Sequence, residues 1–172
     1  MQQKHKHLGI YIDNKLTFND YTQYVYNSCI RKWTTIRRIC PFTSPTILTR
    51  LYKVYILPLI EYSFFTWVPS EQQFNKIESI QKQVTKYICF KAKMLNLCYI
   101  ERLVKLDLKS LRVRRDLKIL KYVLKSIYNS NDVPLMWKNM FVLKDSRNGF
   151  FLEKINTRIQ LCDKNFFIYS IN

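Results

Sequence analysis

LTRLYKVYILPLIEYSFFTW, residues Leu48 to Trp67, has the densest apolar content in the chain and decides how the rest is arranged. Its first half repeats at helical spacing, with Leu48, Leu51, Tyr52, Tyr55, Ile56 and Leu59 on one stripe. Ser44-Pro45 supplies a start signal, a capping serine followed by a proline at the first helical position. Pro58 lacks an N–H and crowds the preceding turn, so the spacing predicts a kink or a break there. Glu61 is an acid inside an apolar run, and such a group faces water, pairs with a base or does something specific. Arg50 or Lys53 is the expected partner. With amphipathic segments on both sides, this stretch is expected to be the central helix of the fold, a scaffold rather than a site.

Upstream, Tyr21, Tyr24, Val25, Cys29, Trp33, Ile36 and Cys40 share one face of a helix over about 20–40, which Asn19 or Asp20 can cap and Pro41 ends. Downstream, Ser70 and Gln73 form a capping box opening a helix to about Phe90. Its inward positions are Phe74, Ile77, Ile80, Val84, Tyr87 and Ile88, with Glu78 and Lys82 as an outer i,i+4 pair. A short helix is expected over 99–106 and a longer one over 109–129. The longer one has an apolar line, Val113, Leu117, Leu120, Leu124 and Ile127, expected to be its buried face. Residues 4–18 read as two short strands with a turn pair at Asp13-Asn14. No elements are assigned to 131–172. The fold expected is mainly α, a helical bundle with a short N-terminal β-hairpin and a poorly defined C-terminal segment. Two glycines and five prolines among 172 residues are too few turn formers for a barrel or sandwich.

The chain carries 29 Lys+Arg against 12 Asp+Glu, a net charge of +17. Such an excess points to a polyanionic partner, usually nucleic acid. Residues 1–60 hold nine basic and two acidic side chains, and 101–130 hold nine and three. Arg31, Arg37 and Arg38 cluster late in the first helix, where cations also suit the helix dipole. Arg114, Lys118, Lys121 and Lys125 form a line one residue on from the apolar line of the 109–129 helix. They span about 16 Å of axis, roughly five base steps. These seven cations are the candidate nucleic-acid contacts.

Cysteines at 29, 40, 89, 98 and 162 form no CxxC pair, and the two histidines, His5 and His7, lie far from them. Reduced thiols and no bound metal are expected, in an intracellular protein, nuclear or cytoplasmic and not secreted. The longest apolar run, Val54 to Val68, is interrupted and falls short of the roughly 20 residues that cross a bilayer, so no membrane partner is expected. There is no paired-carboxylate site, phosphate-cradling glycine loop, GxSxG or HExxH. A helical nucleic-acid-binding module without an active site of its own is the reading from composition.

The order of motifs adds to this. KHLGIYIDNKLTF, then LYKVYILPLIEYSFFTWVPS, then IESIQKQVTKYI, then YIERLVKLDLKSLRVRRDLKILKYV resembles the C-terminal part of reverse transcriptases from non-LTR retrotransposons, the jockey-like group in particular. The match covers about residues 4–130. The tail agrees more loosely, Ser63 stands where the family has a glycine after "EY", and the chain ends Ile171-Asn172 without the family's tryptophan. The resemblance implies that 1–18 is the end of the palm, with Leu8 and Gly9 matching its primer grip. It implies a helical thumb over 19–92, a basic connector over 93–130 and an extension over 131–172. It implies template–primer nucleic acid as the partner, together with the rest of the parent polymerase. The family's metal-binding aspartates lie in a palm motif N-terminal to the matching region. The chain is therefore expected to be no enzyme on its own and to bind no cofactor, the magnesium belonging to the intact family enzyme. The alternative is a stand-alone basic helical module binding nucleic acid or protein.

Overall fold

In the computed structural model, which describes residues 4–62, 64, 67, 69–128, 143–146 and 149–152, the central stretch is a continuous helical rod whose pitch changes partway. It runs as α2 (Pro45–Leu51), a π-helical turn (Tyr52–Ile56) and α3 (Leu57–Glu61). The Ser44 hydroxyl accepts the Ile47 N–H, as the start signal requires. Pro58 causes no break. The wide turn just before it, closed by Leu57 N–H donating to the Tyr52 carbonyl, accommodates the missing donor without interrupting the rod. Leu48, Thr49, Tyr52, Ile56, Leu57 and Ile60 are its buried side chains.

The other elements are β1 (Lys4–His7), β2 (Ile10–Asp13), α1 (Asn19–Ile39), α4 (Glu71–Lys91), α5 (Tyr99–Lys105), α6 (Leu111–Tyr128), β3 (Leu143–Ser146) and β4 (Gly149–Leu152). The protein is mainly helical, with a short N-terminal antiparallel hairpin. It divides into two compact units, Met1–Phe64 with Pro69–Arg114, and Phe65–Val68 with Arg115–Asn172.

In the first unit α1 and α4 run side by side in the same direction. Gln73 meets Asn19, Lys76 meets Gln23, and the Tyr87 ring meets Trp33, so residue numbers rise together along the pair. Tyr21, Val25, Cys29 and Trp33 from α1 and Phe74, Ile77, Ile80, Val84 and Ile88 from α4 are buried. Each Val, Ile or Phe among them is worth roughly 1.5–3 kcal/mol if fully withdrawn from water. Periodicity assigns these inward positions correctly, but of the others it assigns to the same faces, Tyr24 is 44% exposed and Ile36, Cys40 and Tyr87 are half-buried.

A buried polar network ties this core together. The Tyr52 hydroxyl donates to Gln81 Oε1 at 2.7 Å, and Gln81 Nε2 donates to the Lys109 carbonyl at 2.9 Å. Tyr99 donates its hydroxyl to Glu78, whose other oxygen accepts the Leu111 N–H at 3.1 Å. Glu78 is thus no outer partner of Lys82. It is buried and accepts the first N–H of α6, while Lys82 Nζ stands 5.5 Å from the Tyr99 ring centroid. An i,i+4 spacing allows a pair, but two donors converging on a carboxylate out of water hold it more strongly.

Three further expectations change. The hairpin turns at Leu8-Gly9 and not at Asp13-Asn14: φ is +46° and +83°, the mirror-image turn whose second position suits glycine. Asp13 instead organises the entry to α1, accepting hydrogen bonds from the N–H groups of Lys15, Thr17 and Phe18 and from the Thr17 hydroxyl. Burial alone would raise its pKa, but those donors hold the carboxyl below the ordinary 3.8. Neither Asn19 nor Asp20 caps α1, because Phe18 occupies the cap position in a left-handed conformation. Glu61 pairs with Arg114 at 2.5 Å and with neither Arg50 nor Lys53; Lys53 reaches Asp107 at 3.4 Å.

In the second unit, β3 and β4 form an antiparallel hairpin with Leu143 opposite Leu152 and Ser146 opposite Gly149, inside the segment where no element is expected. Most of 131–172 otherwise lies outside the described residues, as does the side chain of Ile127. Val113, Leu117, Leu120 and Leu124 on α6 are 44–53% exposed, so the apolar line expected to be buried is largely open to solvent. Periodicity tells which face of a helix is apolar; it does not supply a partner for that face.

Candidate nucleic-acid interface

Because α1 and α4 are parallel, their C-terminal ends lie together. A helix C-terminus presents unpaired carbonyls and partial negative charge, which favours cations nearby. Arg37 and Arg38 occupy the last turn of α1, and Lys91 the last turn of α4. Lys91 Nζ donates to the Pro41 carbonyl at 2.7 Å, joining the two ends.

Between them lies an open groove of about 340 Å³, lined by Trp33, Arg37, Gln83, Lys86, Tyr87 and Phe90. Trp33 meets Tyr87 edge to face, with centroids 5.6 Å apart and planes at 85°. The Arg37 guanidinium sits 4.4 Å from the Tyr87 centroid, and Lys91 Nζ is 5.9 Å from the same ring. Trp33 is buried and forms the floor, whereas Phe90 is 64% exposed at the rim. Among the described residues no carboxylate lines the groove. Aromatic surface, two cations and an amide in one groove are the side-chain types that planar, anionic ligands use.

The candidate residues named from sequence fall in three places. Arg31, Arg37 and Arg38 are exposed on α1, and Arg37 lines the groove. Arg114 is half-buried in its ion pair with Glu61, a partner that spacing along its own helix could not indicate. Lys121 and Lys125 are exposed and Lys118 half-buried, further along α6. Leu8 and Gly9 form the exposed hairpin tip, where the Tyr62 hydroxyl donates to the Leu8 carbonyl at 2.9 Å. The hairpin packs on the first half of α1, through Tyr11 against Tyr24 at 5.3 Å. That is about 20 Å along the helix from Arg37.

Gln83, Lys86, Phe90 and Lys91 were not among those candidates. A signal for them exists: no acid occurs between Asp20 and Glu61, and none between Glu78 and Glu101. Those two acid-free segments include the halves of α1 and α4 that meet at the groove.

Elsewhere the titratable groups serve structure. Burial pushes the Cys29 thiol up to about 12, with the Lys32 charge pulling weakly the other way, so this thiol stays protonated. Burial, then the Glu78 hydrogen bond and charge, raise Tyr99 well above the ordinary phenol value; burial, then Tyr99 and Glu78, do the same for Tyr52. Among the described residues no three His, Cys, Asp or Glu side chains are grouped to hold a metal ion, and no helix is long and apolar enough to cross a membrane.

No family model matches the chain, and no solved structure matches it. The uncharacterized protein B0403.1 of Caenorhabditis elegans is 30% identical over 143 residues, which cover 81% of this chain and 72% of that protein. The chain belongs to the same family as B0403.1.

Proposed function

We propose that this member of the B0403.1 family is a nucleic-acid-binding polypeptide of the non-LTR reverse-transcriptase type, a thumb and connector that grip template–primer while chemistry is done elsewhere. The observation that carries the reading is the groove at the paired ends of α1 and α4, aromatic and cationic, with no carboxylate in its lining among the described residues. Arg31, Arg37 and Arg38 on α1 and Lys86 and Lys91 on α4 neutralise backbone phosphates. Lys118, Lys121 and Lys125 on α6 are further phosphate contacts in this reading, and Arg114 pairs with Glu61. The Leu8-Gly9 tip, braced by Tyr62, takes the primer-grip position that the sequence resemblance implies. Magnesium and the catalytic aspartates belong to the palm of the parent polymerase in this reading.

The test is fluorescence anisotropy of a labelled RNA–DNA hybrid titrated with the full chain across a salt series. Binding is expected to weaken linearly on a log–log plot, because each neutralised phosphate releases counterions. Absent or salt-insensitive binding refutes it. A second reading, a protein-interaction module, has one observation in its favour: the half-exposed line Val113, Leu117, Leu120 and Leu124 on α6. It predicts concentration-dependent self-association or partner binding that Leu117→Asp removes, read by light scattering, with nucleic-acid binding absent.

A further inference from the structure

We infer that the α1–α4 groove seats an unpaired base, so that the chain holds single-stranded nucleic acid there by stacking on Phe90; this rests on the nucleic-acid reading above and narrows it. The aromatic groups of the groove are not equally available. Trp33 is buried at the floor, and Tyr87 has the Arg37 guanidinium 4.4 Å from its centroid. Phe90, 64% exposed at the rim, is left as the ring with a face to offer.

The bases of a duplex stack on one another and present only edges to a protein, so an aromatic face is useful only where a base is unpaired. Phosphate contact alone would need the cations and no exposed ring. At about 340 Å³ the groove lies at the small end of ligand sites, room for one planar heterocycle. Arg37 of α1 and Lys86 of α4 also line the groove and supply cations for the phosphates flanking the base. Gln83 brings an amide that both donates and accepts, suiting the edge of any base. Stacking of this kind tolerates sequence, because every base has a π-face.

The test compares binding of the full chain to a fluorescein-labelled oligodeoxythymidylate of about twelve nucleotides, within the usual site sizes, and to a labelled RNA–DNA hybrid of equal length. Phe90→Ala is expected to weaken single-strand binding by about tenfold, the loss typical of one stacked base. Hybrid binding should stay within about twofold, and Phe90→Trp should restore single-strand affinity. Phe90 is largely solvent-exposed, so equal thermal melts of the variants establish that the fold is intact. Salt-dependent binding that Phe90→Ala leaves unchanged, or reduces equally for both probes, overturns the base seat while leaving the broader reading in place. Failure of the unmodified chain to bind either probe overturns both.

Discussion

Replacing Glu78 should destabilise the protein more than any exposed charge, because its carboxylate is buried and holds two donors. One is the Leu111 N–H, the first of α6, at 3.1 Å; the other is the Tyr99 hydroxyl. Glu78→Leu leaves the Leu111 N–H without its acceptor at a residue with no solvent exposure, which costs about 1–3 kcal/mol. Tyr99 is half-buried and can still accept from Gln81 Nε2 at 3.2 Å, so its loss lies near the low end of the same range. The carboxylate also meets the positive end of the α6 dipole, worth up to about 2 kcal/mol in a partly buried geometry. The apolar replacement returns part of this through burial, leaving an expected net loss of about 2–4 kcal/mol. Glu78→Gln keeps an acceptor for Leu111 and should cost about 1–2 kcal/mol. Urea unfolding followed by circular dichroism, with equal m-values as the check on two-state behaviour, measures both. A Glu78→Leu protein within about 0.5 kcal/mol of the parent would refute the network as the tie between α4, α5 and α6.

Glu61→Gln should cost about 1–2 kcal/mol by the same assay, since it strands a half-buried Arg114, whereas Asp107→Asn, opposite Lys53 at the surface, should shift stability by under about 0.5 kcal/mol. Alkaline titration should show two phenols that resist ionisation: Tyr52 and Tyr99 have folded-state pKa values raised above the ordinary 10.0, so the stability they contribute is present below pH 10 and is lost as pH rises beyond it. Phenolate absorbance for both should therefore appear with unfolding and not before it. Among the described cysteines, thiol labelling under native conditions should modify exposed Cys98 first and leave buried Cys29 and Cys89 unmodified until the protein unfolds, read by peptide mass.

Much of the helical framework is legible in local chemistry. Ser44-Pro45 starts the central rod, and Ser70 with Gln73 opens α4 through a complete capping box. What sequence could not give is which groups meet across long separations. Arg114 reaches Glu61 across 53 positions, a pairing set by where α6 begins, and α6 begins where Glu78 accepts its first N–H. The π-turn before Pro58 is likewise not named by the rule that an interior proline kinks or breaks a helix, because widening one turn is another way to meet the same constraint. The groove is not legible in the sequence for a related reason: each helix shows its own cations, but only their parallel arrangement sets Arg37 over Tyr87 and in one groove with Lys86. The line Arg114, Lys118, Lys121, Lys125 illustrates the converse, since a regular spacing on one helix conceals that its first member has an acidic partner.

Lysine protection on binding tests the central claim most directly. The full chain is acetylated briefly with and without a saturating RNA–DNA hybrid or oligodeoxythymidylate, and modification is quantified at each lysine by mass spectrometry. Lys86 and Lys91, in the C-terminal half of α4, should be protected by nucleic acid, while Lys53, engaged with Asp107, should be labelled equally in both samples. Equal labelling of Lys86 and Lys91 with and without bound nucleic acid would contradict the account.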